Sequence, residues 1–299
     1  MNTGIESFNK ILLPLFNEFD NLVNKGYGLS HTFREVIFKK CTQMQKYDGW
    51  IPIWVMDAGN TAESSWTKEM FETFVRNNNN EIIHRWLYYY DFDMLVTAFC
   101  DRLKMTSSLA REFYQRFPCE SPCKMTDFKS ATMNISSSDT ISFACVNSIF
   151  IYLASSFDLL SKIYVELKQV DKLDFSVYPH MVSRNVLLGN INKKDEFVKD
   201  TLFERPICIN TILSIRDRIV HNGSFDFMQM VYDCYDGPNG HFESTILFPD
   251  MANGNFIASK NRRNFYSQSN RLNLLLPSLL KDVLMVIDTT VEKLQTTFK

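Results

Sequence analysis

The sequence predicts a mostly α-helical protein that carries one small β-hairpin. The strongest support is a continuous apolar seam from Ser136 to Val170, where apolar residues recur in alternating steps of four and three. Apolar residues at helical spacing also run from Ile5 to Val23. The hairpin is indicated by the turn-forming run from Asp236 to Gly240, which lies between two apolar segments.

The amino-terminal part of the chain predicts two helices followed by a loop. Pro14 is expected to bend or split the first helix, and the Gly26–Gly28 run is expected to end it. Ser30 then caps a second helix that continues to about Lys46. The apolar stretch Trp50–Val55 is short and contains a proline, so it is predicted as a loop or an edge strand.

Three more helices follow in the first half. One is predicted from Trp66 to Arg76, and the asparagine run Asn77–Asn80 is interpreted as a linker. Two separate helices are then predicted, from Glu81 to Met105 and from Ser107 to Phe117. The tyrosine run Tyr88–Tyr90 has a base-stacking interpretation, but packing within a helix explains it more simply.

In the second half, a helix that ends near His221 has two candidate starts. Thr201 begins a capping-box pattern, whereas Pro206 is suited to the first helical position. A final helix is expected from about Leu272 to Gln295, with an interruption near Pro277. We place a domain boundary near residue 130, which gives a helical domain of unknown role at 1–130 and a second domain at 131–299.

Composition limits the classes of function. The chain has 299 residues and a formal net charge of −2, which argues against a long basic arm and confines any nucleic-acid site to a local cluster. The seven cysteines are scattered and no signal peptide or uninterrupted membrane-length apolar run is visible, so we expect a reduced, cytoplasmic protein without a membrane contact. Cys119 and Cys123 have no second ligand pair at matching spacing, so we expect neither a metal nor a cofactor.

The segment from Ser214 to Gly223 is the most informative part of the sequence. Arg216 follows the spacing of the apolar residues Ile209, Ile212 and Ile219, so it is predicted on the inward face of a helix. A buried arginine needs a carboxylate, a partner subunit or a polyanionic ligand. His221 lies at the end of this helix, because Asn222 and Gly223 form a stop.

With this motif, the stretch from Ser136 to Lys299 resembles the HEPN superfamily (higher eukaryotes and prokaryotes nucleotide-binding). The family is a four- or five-helix bundle with an arginine and a histidine separated by four to six residues, often with a polar residue after the arginine. Arg216, Asp217 and His221 supply these positions here, and Asp158 resembles an acid that the family carries on an earlier helix. The resemblance implies a HEPN-like bundle with the hairpin as an insertion.

Many family members are ribonucleases that need no metal ion and work as homodimers. The resemblance therefore implies an endoribonuclease in which the RNA 2′-hydroxyl attacks the adjacent phosphate at a dimer cleft, leaving a 2′,3′-cyclic phosphate. In this scheme Arg216 grips the phosphate, while His221 moves the proton. Asp217 could orient His221, and Asp158 could hold Arg216. The resemblance also implies a bacterial defence or toxin role, with an antitoxin or regulatory protein as a further partner.

RNA contacts are predicted for four residues outside this catalytic group. Arg218 and Asn222 belong to the same helix, and Arg262 and Arg263 lie in a polar loop beside aromatic residues. Two other interpretations stay open. In one, Arg216 forms a structural ion pair in a non-catalytic dimerisation or interaction module; in the other, the motif holds a nucleotide phosphate without cutting it.

Overall fold

The computed structural model describes residues 8–42, 51–117, 132–134, 137–192, 194–226, 228–236, 241–267 and 269–298. The described part of the chain is mostly helical, in agreement with the predicted class. Its α-helices are α1 (Leu13–Ile37), α2 (Ile53–Met56), α3 (Lys68–Asn77), α4 (Glu81–Tyr114), α5 (Ser137–Gln169), α6 (Ile207–Asn222) and α7 (Leu272–Thr297).

Two small antiparallel sheets accompany the helices. The first has the order β1–β2–β3, formed by Thr132–Asn134, Val231–Asp236 and His241–Thr245. The β2–β3 pair is the predicted hairpin, whose turn at residues 237–240 lies outside the described residues. The second sheet pairs the two-residue strands β4 (Met251–Ala252) and β5 (Asn255–Phe256).

The chain divides into two compact units, and each takes segments from both halves of the sequence. Unit 1 comprises Met1–Asn24, Asp101–Ser156 and Lys193–Thr290, and unit 2 comprises Lys25–Cys100, Phe157–Asn192 and Val291–Lys299. This grouping differs from the predicted division at residue 130. Within 131–299 the described α-helices are α5, α6 and α7. Unit 1 contains all of α6 and parts of α1, α4, α5 and α7.

The predicted break in the first helix is wrong, because α1 continues through Gly26 and Gly28. The two glycines instead allow close packing within unit 2. A Cβ on Gly26 would lie 2.8 Å from Cys100 Sγ, and one on Gly28 would lie 2.5 Å from Gln295 Nε2. The predicted cap Ser30 is therefore an interior residue of the helix.

Two further corrections concern helix continuity. The predicted helices on either side of residue 106 form the single helix α4, within which the Thr106 hydroxyl donates to the Arg102 carbonyl at 2.8 Å. The stretch predicted as a loop or edge strand contains the one-turn helix α2.

The final helix α7 also runs through Pro277 without the predicted interruption. A proline inside a helix cannot donate to the carbonyl four residues earlier, which here belongs to Asn273. The hydroxyl of Tyr114 donates to that carbonyl at 3.2 Å. This contact within unit 1 satisfies an acceptor that the helix itself leaves open.

The seam predicted along α5 is confirmed, since its seven residues are all buried: Val146, Phe150, Leu153, Phe157, Leu160, Tyr164 and Leu167. The segment Thr140–Lys172, which contains most of α5, is long and apolar enough to cross a membrane by length and composition. In its most apolar window, 61% is buried inside the fold. Core helices of globular proteins commonly meet the same criterion.

Candidate nucleic-acid interface

Helix α6 carries most of the predicted site, and local sequence defines both of its ends. Pro206 is the residue before the helix, with φ −57° and ψ 167°, and helical structure begins at Ile207. Thr201 caps a separate 3₁₀ turn, Leu202–Glu204, so the two candidate starts belong to two different elements. Gly223 closes α6 in the left-handed region at φ 82°, and its N–H donates to the Ile219 carbonyl at 2.8 Å.

The predicted inward arginine lies at the edge of the buried face. Ile209, Ile212, Ile215 and Ile219 form the core side of α6 and are at most 5% exposed. Ile215 occupies the position that the sequence analysis gave to Arg216, whose side chain remains 35% exposed. Its guanidinium pairs with neighbouring Asp217 at 3.2 Å, and its Nε has no partner among the described residues.

Asp217 and His221 lie on the exposed side of α6, one helical turn apart. Residues five apart on a helix, such as Arg216 and His221, are separated by about 140° around the axis. The described structure contains no hydrogen bond between any two of these three side chains other than the Arg216–Asp217 ion pair. Arg216 and His221 of one chain therefore point in different directions from α6.

Asp158 belongs to unit 2, whereas Arg216 belongs to unit 1. The Asp158 carboxylate accepts the backbone N–H of Leu188 at 2.9 Å. This bond ties the irregular segment after α5 to the helix. The suggested pairing of Asp158 with Arg216 stays a prediction.

The four predicted RNA-binding residues all line one cleft of about 800 Å³ in unit 1. Arg218 and Asn222 come from α6, while Arg262 and Arg263 come from the loop after β5. The apolar part of the lining is formed by Phe225, Met228, Met230 and Leu247, and the remaining polar side chains are Ser224, Asp226, Tyr232, Asn261, Asn264 and Tyr266. Three arginines and one carboxylate therefore give the cleft an excess of positive charge.

Arg218 is held in a fixed orientation on the cleft wall. Its guanidinium lies 4.3 Å from the centre of the Phe256 ring, and one terminal nitrogen donates to Asn264 Oδ1 at 2.7 Å. Burial and the positive charge of Arg263 lower the pKa of Arg218. No carboxylate forms an ion pair with Arg218 within the described ranges.

The ring under Arg218 can approach α6 because of a glycine. Gly254 lies between β4 and β5 at φ 78°, and a Cβ there would lie 2.7 Å from the Asn210 Cβ and 2.9 Å from the Ile207 carbonyl. The Ser214 hydroxyl donates to the Gly254 carbonyl at 2.7 Å. These contacts dock the β4–β5 hairpin on the helix.

Asp250 organises the loop that carries the two exposed arginines. Its carboxylate accepts from the Ser267 N–H and hydroxyl, both at 2.9 Å, and from the Asn270 side chain at 2.7 Å. At the loop tip, Ser259 and Arg262 exchange two backbone hydrogen bonds of 2.9 Å. Arg262 thus ends a tight turn, and Arg263 follows it directly.

A second polar chain connects Arg218 to the floor of the cleft. Asn264 accepts from Arg218 and donates through Nδ2 to the Tyr266 hydroxyl at 3.2 Å. Tyr266 in turn donates to Asp226 Oδ1 at 3.0 Å. Burial and the neighbouring charge of Asp226 raise the pKa of Tyr266, so this hydroxyl stays a donor at neutral pH.

Sequence reasoning missed Asp250, Asn264 and Phe256 as organisers of this interface, and it noted Tyr266 only as an aromatic neighbour of Arg262 and Arg263. Asp250 and Asn264 lie outside the strands and Phe256 lies in β5, and only the fold brings them together. A useful indication was available at Asn253-Gly254, a turn-forming pair that separates two short apolar segments. Elsewhere, the described residues contain no group of three or more His, Cys, Asp or Glu side chains arranged to hold a metal ion. Cys119 and Cys123 lie outside the described residues.

Comparisons of the chain with family models, with curated proteins and with solved structures gave no match.

Proposed function

We propose that this protein is a metal-independent endoribonuclease with a HEPN-like arrangement of α6, acting as a homodimer. The observation that carries the proposal is the exposed end of α6, where His221 is directly followed by Asn222 in the wall of an arginine-lined cleft. A single strand of RNA needs cationic groups for its phosphates and a proton-transfer group near the scissile bond. Both kinds of group meet at this end of the helix.

In the proposed mechanism, His221 takes the proton of the RNA 2′-hydroxyl as that oxygen attacks the adjacent phosphorus. The 5′-oxygen leaves and receives this proton from the His221 imidazolium, so the products are a 2′,3′-cyclic phosphate and a 5′-hydroxyl, and His221 is neutral again. Asp217 lies one turn before His221 on the same exposed side, where a carboxylate can orient the imidazole. Arg216 of the partner subunit would stabilise the phosphate charge, since the two side chains point apart on one helix.

The test is cleavage of a mixed total-RNA and tRNA pool by the purified protein in the presence of a chelator. Wild type is expected to produce cyclic-phosphate ends, and His221→Ala and Arg216→Ala are expected to produce none while keeping the wild-type unfolding curve and oligomeric state. His180→Ala, which changes an exposed histidine of unit 2, is the matched control and should cleave normally. Cleavage that survives in His221→Ala, or that disappears only with chelator, would contradict the mechanism.

The dimer is tested separately by mixing. A preparation of Arg216→Ala and one of His221→Ala are each expected to be inactive, and their heterodimers should regain one complete site. Recovery of activity on mixing would support a site shared between copies. Two inactive variants that stay inactive together, although they exchange subunits, would argue against it.

A nucleotide-binding protein without cleavage activity is the second candidate. The observation in its favour is that the cleft is complete within one chain, whereas the Arg216–His221 pair is not. This candidate predicts nucleotide binding that is insensitive to His221→Ala, with intact RNA in every lane. A third alternative, a purely structural Arg216–Asp217 ion pair in an interaction module, predicts neither binding nor cleavage.

A further inference from the structure

The cleft beside α6 has two chemically different kinds of lining. Arg218, Arg262 and Arg263 supply positive charge, and Met230, Tyr232 and Leu247 supply apolar and aromatic surface. Met230 directly precedes β2 and Tyr232 is its second residue, and both line the cleft, while Val231 between them is 3% exposed. A ligand that fills this cleft therefore needs an anionic group joined to a flat, largely apolar group.

We propose that the cleft binds one unpaired nucleotide, with its phosphate between Arg218 and Arg263 and its base against Met230 and Tyr232. This inference deepens the proposed function and rests on its assignment of RNA as the ligand. The volume of about 800 Å³ is within the range of small-molecule sites and accommodates a single nucleotide unit. A base within a duplex would have to leave its stack to reach the floor.

Arg218 and Arg263 are suited to bind a phosphate because their positive charges are not paired with carboxylates of the described residues and because Arg218 is held in a fixed orientation. One terminal nitrogen of Arg218 donates to the neutral side chain of Asn264, and one face of the guanidinium lies on the Phe256 ring. Neither contact supplies a negative charge, so the positive charge of Arg218 is not balanced. Arg263 is exposed and has no ion pair among the described residues. Two arginines close enough to repel each other are stabilised by a phosphate that bridges them.

The one carboxylate in the cleft does not cancel this charge. Asp226 accepts from the Tyr266 hydroxyl at 3.0 Å and from the Met228 N–H at 3.2 Å. Both of these bonds are made to Asp226 Oδ1. A carboxylate beside the base disfavours a second phosphate there and is compatible with the N–H donors of a base.

Asp250 is the positioning residue of this site. It holds the base of the loop through Ser267 and Asn270, and Arg263 forms no ion pair with any residue that the structure describes. If Asp250 acts through Arg263, its removal should weaken binding in wild type but not in Arg263→Ala. A purely structural role would instead lower binding by the same factor in both backgrounds.

The binding test uses RNA that cannot be cut, so that it is independent of catalysis. A short 2′-O-methyl RNA, labelled with fluorescein, is titrated as a single strand and as a duplex and followed by fluorescence anisotropy. The single strand is expected to bind at least about tenfold more tightly, because unpairing a base costs a few kcal/mol. Equal affinity for the two forms would overturn the proposal.

Substitutions then test which residues bind the phosphate of the nucleotide. Arg263→Ala and Arg218→Lys are each expected to weaken single-strand binding about tenfold, since an arginine–phosphate hydrogen bond contributes about that factor. Arg184→Ala, an exposed arginine of unit 2, is the matched control and should bind like wild type. If Arg218→Lys does not fold, the exposed Arg263 still tests the phosphate end, and unchanged binding in Arg263→Ala overturns it.

Competition identifies the ligand chemistry. A nucleoside monophosphate should displace the labelled strand at concentrations at which neither inorganic phosphate nor the nucleoside does. Tyr232→Ala should weaken the nucleotide about tenfold and leave inorganic phosphate unchanged, because base–aromatic stacking is lost. Displacement by phosphate and nucleotide alike would overturn the base subsite. Binding of the uncut strand without cleavage of natural RNA would leave this inference standing and refute the ribonuclease.

Discussion

The two units differ in whether their charged side chains have partners. In unit 2, tyrosine hydroxyls and carboxylates bond to each other: Tyr88 donates to Glu166 at 2.5 Å, Tyr178 donates to Asp91, and Tyr90 donates to Asp57. In unit 1, the arginines of the cleft have no carboxylate partner among the described residues. The comparison indicates that the availability of partners, more than residue type, separates a structural network from a ligand site.

Burial explains why the network of unit 2 is closed. Glu166 is fully buried, and its second oxygen accepts the Ser183 N–H at 2.9 Å. Burial is the main cause that raises the pKa of Tyr88, and it also raises the pKa of Tyr90 to about 12. Buried polar groups of this kind are stable only when they are hydrogen-bonded, so their donors and acceptors are already used within the protein and are not available to a ligand. The base-stacking interpretation of the Tyr88–Tyr90 run therefore has less support than helix packing.

The largest expected effect on the free energy of unfolding comes from a substitution that breaks the hydrogen-bond network of unit 2. Glu166→Ala would leave the buried Tyr88 hydroxyl and the Ser183 N–H without an acceptor, and should lower the free energy of unfolding by about 3 kcal/mol. Urea denaturation measures the change. The control is Glu63→Ala, an exposed carboxylate of the same unit, which should stay within about 0.5 kcal/mol of wild type. A similar result for both variants would remove the contrast between the units.

A smaller effect is expected in unit 1, at the hydroxyl that compensates for Pro277. Tyr114→Phe should lower the free energy of unfolding by about 1 kcal/mol, because it removes a donor to the Asn273 carbonyl. Thermal or urea unfolding detects this change. Tyr152→Phe removes a hydroxyl that has no hydrogen bond among the described residues and should be nearly neutral. If the two substitutions were equally harmful, the carbonyl would not depend on Tyr114.

The pH dependence of stability tests Asp91, which faces Tyr178, Asn60 and the charge of Glu166. Burial raises the pKa of Asp91, and the hydrogen bonds from Tyr178 and Asn60 offset only part of that rise. The folded state therefore favours the protonated acid, and this contribution is lost as pH rises from about 4, the range in which unfolded Asp ionises. Asp91→Asn should gain stability relative to wild type between pH 4 and pH 7 in thermal unfolding. An equal difference at the two pH values would contradict this assignment.

The smallest expected effect belongs to the open arginines. Replacing Arg262 and Arg263 together by alanine should change the free energy of unfolding by less than about 0.5 kcal/mol, because both side chains are exposed and unpaired in the described structure. Denaturation of the double variant beside wild type checks this. A loss comparable to that of Glu166→Ala would mean that the loop arginines are structural and that the cleft is not a free ligand site.

Local sequence was sufficient wherever one residue controls the backbone. Gly223 ends α6 in the left-handed region, and the apolar seam of α5 is buried as the spacing predicts. It failed wherever a neighbour distant in sequence overrides a local preference. Gly26 suggested a break, but it lies against Cys100; Pro277 suggested another, but Tyr114 supplies the missing donor.

The candidate site divides in the same way. The sequence alone suggested Arg218, Arg262 and Arg263 as candidate RNA contacts, from their places in the α6 motif and in a polar loop with aromatic residues, and this role stays a prediction. Periodicity also placed Arg216 inward, but a residue near the boundary of a helical face cannot be assigned by spacing alone. The contacts of Ile215 and the pairing with Asp217 decide that Arg216 lies at the edge.

By itself, then, the sequence determined the helical class, the long core helix and the carboxyl end of α6, and it suggested candidate residues for a phosphate-binding site. The tertiary structure alone decided that Arg218, Arg262 and Arg263 share a cleft and that Asp250 and Asn264 orient them. It also decided that the tyrosines of unit 2 donate hydrogen bonds to carboxylates. The physical reason is that helix ends and apolar stripes are local properties of the chain. Charge pairing and burial depend on residues brought together from distant segments.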